Sequence, residues 1–267
     1  MTDLLAQAQG ADLTPLVRKL ANFAPLTAED QRILRGIGSS HESFAAGALI
    51  IGEGEVPRSV FVVTEGLACR YRDMPDGRRQ IMTFLLPGDL CDMHVFLVKA
   101  MDHSIATISP VRLSALSRDT VLDLLFNRPR IAAALWWSSL QEEAIMRERI
   151  VALGRRNAHG RIAYLLCEIL WRCEAVGLEL DRVVSLPLSQ VDLADTLGLT
   201  PVHVNRVLKQ LRNSGLIMLA NRMLTVVDLP RLQAMAGFDS SYLHLGGAPE
   251  EVAEVFDQLE IRARARA

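Results

Sequence analysis

Within the stretch LGLTPVHVNRVL, from Leu197 to Leu208, Asn205 and Arg206 stand one helical turn beyond Val202. These residue types can read base edges. A guanidinium can bond guanine O6 and N7, a carboxamide can bond adenine N6 and N7, and an apolar side chain such as Val202 can touch a thymine methyl. Arg206 is the first candidate for base readout, and His203 suits a base contact, a phosphate contact or plain solvent exposure. Lys209, Arg212 and Arg222 are placed to neutralise phosphates, which sets affinity and orientation without reading sequence. Ser189 and Thr200 stand at helix starts, where a hydroxyl can donate to a phosphate near the positive end of the helix dipole. Helix capping explains both hydroxyls equally well.

The elements that must position these side chains are legible around them. Ser189 can cap a helix beginning at Gln190, with Val191, Ala194 and Leu197 on one face and Ala194 small where a second helix approaches. Gly198 suits the left-handed turn that ends that helix, Leu199 can plug the corner, Thr200 can cap the next helix, and Pro201 fits its first position. Val204, Val207, Leu208 and Leu211 form the buried stripe of this second helix, which Gly215 closes. The spacing predicts a helix-turn-helix with its second helix outward. The following LIMLANRMLTVVDL predicts two strands around a polar turn at Asn221 and Arg222, which makes the unit winged.

The chain has 267 residues and a formal charge of −2 at pH 7, so a nucleic-acid surface must come from local charge. Pro201 to Ser214 supplies it, with Arg206, Lys209 and Arg212 and no acid. Half the residues are apolar, yet no apolar run reaches the ~18 needed to span a bilayer. The expectation is a soluble cytoplasmic protein without membrane contact. The four cysteines, Cys69, Cys91, Cys167 and Cys173, form no CxxC pair and read as reduced, buried thiols.

Upstream, the hydrophobic period changes twice. Residues 1 to about 40 read as short helices, with Thr27 and Asp30 as a capping pair and Ile33 and Leu34 turned inward. From about Phe44 to Leu116 the period drops toward two, and short β-rich runs are stopped by Gly52, Gly54, Gly66, Gly77 and Gly88. That pattern predicts an antiparallel barrel or roll, with MPDGRR as its clearest hairpin. A long helical run follows, from about Arg130 to Leu153, in which Ala133, Trp137, Leu140, Ala144, Arg147 and Val151 recur at spacings of four and three. This is a coiled-coil seam for a parallel dimer, although the same stripe could pack on the protein's own sheet. Ile131 and Trp136 add a second apolar face, enough to serve both the sheet and a partner.

The order of β-roll, long helix and winged helix-turn-helix resembles the Crp/Fnr superfamily of bacterial transcription regulators across nearly the whole chain. The landmarks are FVVTEGLACRY, LLPGDLCDMHVFL, SIATISPVRLSAL and the segment 188 to 215. The resemblance implies an α+β fold divided into a sensor roll with N-terminal helices (1–128), a dimerisation helix (129–154), a winged helix-turn-helix (155–245) and a helical tail (246–267). It also implies a homodimer on palindromic double-stranded DNA, contact with RNA polymerase, and a small-molecule effector that alters the pose of the DNA-reading helices.

The effector segments depart from relatives that bind cyclic nucleotides. Asp92 and Met93 replace a Gly-Glu pair, and Met101-Asp102-His103 replaces an Arg-Ser/Thr-Ala triplet, so a cyclic phosphate would meet Asp92 and Asp102 without an Arg and be repelled. The candidate pocket is Gly88, Asp89, Cys91, Asp92, Met93, His94, Asp102 and His103, for an effector other than cAMP. No cysteine precedes Cys69, which argues against the N-terminal iron–sulfur cluster of oxygen-sensing relatives. His94 stands where haem-binding relatives carry a histidine, but Cys91 sits one residue early for their Cys-x-His pair. A haem-dependent gas or redox sensor is therefore one alternative, and a polar cluster without a ligand another. An enzyme would need a cupin-like metal site from His94, His103, Asp92 and Asp102, yet the HxH pair of such sites is missing. Val202 stands where many relatives carry Glu, while Arg206 matches their base-reading Arg, so DNA contact survives with different base preferences.

Overall fold

Gly66 and Gly77 make the tight reversals that fold the strand-rich half into a roll in the computed structural model, which describes residues 13–38, 40–93 and 96–247 together with 254, 255 and 258. At Gly66 the φ is +86°, and a Cβ would lie 2.1 Å from the carbonyl oxygen of Pro110, so no side chain fits there. One antiparallel sheet has the order β1-β8-β3-β6, formed by Ser40–Phe44, Val111–Leu116, Val60–Glu65 and Leu90–Cys91. The other has the order β2-β7-β4-β5, formed by Leu49–Ile51, Ser104–Thr107, Ala68–Asp73 and Arg79–Leu85. The expected hairpin at MPDGRR joins β4 to β5, closed by a bond from Met74 N to Arg78 O of 2.7 Å.

Helices cover the roll. The first two are α1 (Thr14–Ala21) and α2 (Ala28–Gly36), and Thr27 and Asp30 form the expected reciprocal capping box on α2. Leu34 is fully buried and Ile33 partly so. After α3 (Arg118–Asn127), Pro129 opens α4 (Pro129–Arg155), whose N-terminal half joins a core with α1, α3 and the roll. The chain then enters α5 (Ala158–Ala175), which lies at the centre of a second core. That core takes in Leu67, Cys69, Ile81, Phe84 and Leu86 of the roll, so the β4–β5 face backs directly onto the C-terminal unit. All four cysteines are free and buried, and burial pushes each thiol up to about 12.

The residues of the seam expected on α4 are split, with Leu140, Arg147 and Val151 outward and the others turned toward the chain's own core. Ala133 and Ala144 are buried within the chain and Trp137 is half-buried, whereas Trp136 and Ile150 are each 68% exposed, with Leu140 and Val151 also outward. A heptad repeats on adjacent columns of a helix, and one residue turns the face by about 100°, so spacing alone identified the open column only in part. Ile131, fully buried, faces the roll.

Gly88 and Asp89 also serve a different purpose from the one expected. A Cβ on Gly88 would meet the carbonyl oxygen of Pro15 at 2.7 Å, so α1 sits directly on this turn. Asp89 is buried and accepts from Lys19 Nζ at 2.6 Å, Arg172 Nη2 at 2.7 Å and Leu86 N at 2.7 Å. Arg172 continues to Glu168, which Arg149 of α4 also contacts at 3.3 Å. These two residues form a joint between α1, the roll and α5, and neither lines the larger cleft against α4.

Burial works to raise the Asp89 pKa, but Lys19 and Arg172 outweigh it and hold the carboxyl at about 2. A depressed folded pKa contributes stability that is present above the unfolded value and lost as pH falls through the folded one. Asp89→Ala leaves Lys19 and Arg172 buried without their partner and is expected to lower the unfolding free energy by about 3–5 kcal/mol. Urea unfolding at pH 7 measures this loss, and the variant should also lack the acid sensitivity expected of the native chain below about pH 4. An unchanged urea midpoint would rule out the joint.

Candidate nucleic-acid interface

The helix pair is built as its sequence dictates. Ser189 caps α6 (Gln190–Leu197) by accepting from Asp192 N at 3.1 Å, and the Asp192 carboxylate accepts in return from Ser189 N at 2.9 Å. Gly198 ends α6 at φ +61° and ψ +41°. Thr200 then caps α7 (Pro201–Asn213) by accepting from His203 N at 3.2 Å, with Pro201 at its first position. Val204, Val207, Leu208 and Leu211 are buried. On α6 Leu193 takes the inward place expected of Val191, which is half exposed, beside Ala194 and Leu197.

The wing adds β10 (Ile217–Ala220) and β11 (Met223–Val226), joined at Asn221 (φ +51°) and Arg222 (φ +60°). Two consecutive left-handed residues are the requirement of a type I′ hairpin. A third strand, β9 (Val183–Ser185), pairs with β11 and escaped the sequence reading because it is only three residues long. Arg161 fastens the base of the unit, donating to the carbonyls of Leu153, Arg156 and Leu197 at 2.8–2.9 Å.

Helix spacing puts Val202, Arg206 and Lys209 in one outward stripe opposite the buried residues. Val202 is 81% exposed, and Asn205, Arg206, Lys209, Arg212 and Arg222 are exposed too, with His203 half-buried. Among the described residues none of the four cations forms an ion pair. Asn205, Arg212 and Arg222 also line a crevice of about 510 Å³ that reaches Ala46 and Ile108 of the roll. Ser189 and Thr200 are exposed with their oxygens used as caps; the Ser189 hydroxyl already donates to the Asp192 carboxylate at 2.6 Å, whereas that of Thr200 retains the freedom to donate.

The unit is clamped to the roll by residues that no local pattern reveals. Arg79 of β5 bonds Asp192 at 2.9 Å and Asp195 at 3.0 Å on α6, and Gln80 donates to the Thr196 carbonyl at 3.3 Å. These partners are more than 110 residues apart in sequence.

A second cleft, of about 690 Å³, separates the roll from α4. Of the residues expected there, Asp92, Asp102 and His103 come together: His103 Nδ1 is 2.7 Å from Asp102 and its Nε2 is 3.4 Å from Asp92 without a hydrogen bond. The bond with His103 lowers the pKa of Asp102. Cys91 lines a separate cavity with Phe61 and Ile105, Met93 packs on the core of the roll, and His94 lies outside the described residues. The expectation that this cleft has no arginine is corrected: buried Arg70 lines it, with Nη1 on Glu142 at 3.0 Å and Nη2 on the Leu90 carbonyl. No group of three or more metal-ligating side chains forms among the described residues.

Residues 160–235 match the model of the Crp-like helix-turn-helix domain, and residues 41–128 that of the cyclic nucleotide-binding domain. The chain is 32% identical to the transcriptional activatory protein AadR of Rhodopseudomonas palustris, over 74% of this chain and 82% of that one. It is 32% identical to the transcriptional activator protein FnrL of Cereibacter sphaeroides, over 78% and 84%. The solved structure of FixK2 from Bradyrhizobium japonicum is similar at a TM-score of 0.66 and 27% identity, covering 75% of this chain and 98% of that one.

Gly198 sets the angle between α6 and α7. Gly198→Ala must hold the left-handed turn against its Cβ and is expected to cost about 1–2 kcal/mol in thermal or chemical unfolding. A fully neutral substitution would show that the turn relaxes without it.

Proposed function

Because the chain belongs to the Crp/Fnr family of transcription regulators, we propose that it acts as a homodimer on a palindromic operator, reading bases with α7. The observation that carries this reading is the outward stripe of α7: exposed side chains with unpaired cations on a helix fixed by two caps and a glycine turn. Arg206, Asn205, Val202 and His203 take the base edges, while Lys209, Arg212, Arg222, Ser189 and Thr200 hold phosphates. Residues 1–128 serve as the sensor, 129–154 as the dimerisation helix and 155–245 as the DNA-binding unit.

Trp136, Leu140 and Ile150 on the open face of α4 support dimerisation, since exposed apolar side chains at heptad spacing match what a parallel partner helix covers. Two copies would set half-sites one turn of DNA, ~34 Å, apart. The cleft between the roll and α4 is the effector site, so ligand and partner meet the same helix. AadR and FnrL are named as activators, which supports activation through contact with RNA polymerase here. No helix among the described residues is long and apolar enough to cross a membrane.

Selection of bound DNA from random sequence, at stated salt, supplies the operator. On it, Arg206→Ala is expected to cost about 1–3 kcal/mol and to relax the preference at one position in each half-site. Lys209→Ala should weaken all sequences alike and lower the salt slope by about 1. If neither variant alters binding, α7 is not the reading helix. Sedimentation of Ile150→Glu tests the dimer: the expected product is a monomer with no operator affinity, and an intact dimer would place the interface elsewhere.

A further inference from the structure

Resting on the effector reading above, we propose that the cleft between the roll and α4 takes an organic cation with an apolar body, an alkyl- or arylammonium or guanidinium compound. Four carboxylates line this cleft, on Asp92, Asp102, Glu142 and Glu143, against two guanidiniums, on Arg70 and Arg147. Both guanidiniums are already matched: Arg70 pairs with Glu142 at 3.0 Å and Arg147 with Glu143 at 3.3 Å. Asp92 and Asp102 remain, both against the single imidazole of His103. Asp102 is 95% exposed and screened by solvent, so the carboxylate that faces the cavity is Asp92, which His103 Nε2 approaches at 3.4 Å without a hydrogen bond.

An anion would have to draw Arg70 away from Glu142. That exchange strands a carboxylate in a partly dry site, which is a strongly unfavourable step. A cation needs no such rearrangement, because the Asp92 carboxylate is mostly shielded from solvent and its charge is weakly screened. The walls suit an apolar body. Met82, Met101 and Met146 come from two strand-bearing segments and α4, and methionine adapts to irregular ligand shapes.

Two further features mark the site as built. Asp92 is held at φ +63°, a left-handed conformation that aspartate adopts readily and that directs its side chain. Arg70 is 8% exposed, and its Nε has no hydrogen-bond partner. A ligand hydroxyl or ether oxygen beside the cationic group would satisfy that donor. A partner helix closing the open side would bring its own copies of Glu143 and Arg147, which cancel, so the sign of the cleft is unchanged in the dimer.

The test is titration calorimetry and thermal denaturation of the full chain with 2-phenylethylamine, agmatine, choline and spermidine, run beside cAMP. At least one amine is expected to bind saturably and raise the melting temperature, while cAMP does neither. Asp92→Asn, which keeps the left-handed backbone at little cost, should weaken that amine by about tenfold or more. Met146→Trp should block it by filling the cleft. Binding of cAMP alone, lost in Met146→Trp, would overturn the cation while leaving the effector site in place. Amine binding that survives both substitutions would place the amine elsewhere and overturn the proposal. Binding by neither class would overturn the proposal and remove the support for the cleft as an effector site.

Discussion

Asp89 is an ionised carboxylate in the interior, and the placement of the remaining elements depends on keeping it paired. Desolvation of such a charge is repaid only if every strong donor near it is in position. Lys19 comes from α1, Arg172 from α5, and the Leu86 N–H from the end of β5. Satisfying one side chain therefore fixes three segments at once. Arg172 and Glu168 extend the constraint to Arg149, so the long helix α4 is referenced to the same point. Tyr242 lies 3.5 Å from Glu168 at the far side, bringing the short 3-10 turn at Ser240–Leu243 into the network.

The contact with α6 and the cleft against α4 both involve β5. Arg79 and Gln80, at its start, grip α6, and Met82 and Thr83, two to three residues on, face the cleft against α4. At ~3.4 Å per residue this is about one nanometre of paired strand. β5 is paired with β4 on both sides of a bulge at Met82, and its side chains Ile81, Phe84 and Leu85 are buried. The pose of the DNA-facing helices is consequently tied to the wall of the cleft through covalent backbone and not through a chain of side-chain contacts.

The long helix α4 has to satisfy two demands with one repeat. Its inward column holds Ile131, Ala134, Leu135, Ser138, Ile145 and Ala152, mostly small or branched residues that let α1, α3 and α5 approach. Its outward column holds the large side chains Trp136, Leu140 and Ile150. Gln141, buried, donates to the Leu243 carbonyl at 2.7 Å and ties the helix to the 3-10 turn.

The sequence by itself determined the local units. Capping residues, proline at a first helical position and glycine at a left-handed turn act within a few residues, so Ser189, Gly198, Thr200, Pro201 and the stripe Val204 to Leu211 could be read directly, as could the alternating strands of the roll. The order of those units was enough for the family resemblance. Tertiary structure decided the rest. Which column of α4 stays open depends on α1, α3 and α5, which pack against it from distant parts of the chain. Whether Asp89 faces a ligand or a lysine depends on Lys19 and Arg172, 70 and 83 residues away. Arg70 and Arg79 look like ordinary strand arginines until folding brings Glu142 to one and Asp192 and Asp195 to the other. A charge acquires its role from what lies within a few ångströms of it, and that neighbourhood exists only after the chain has folded.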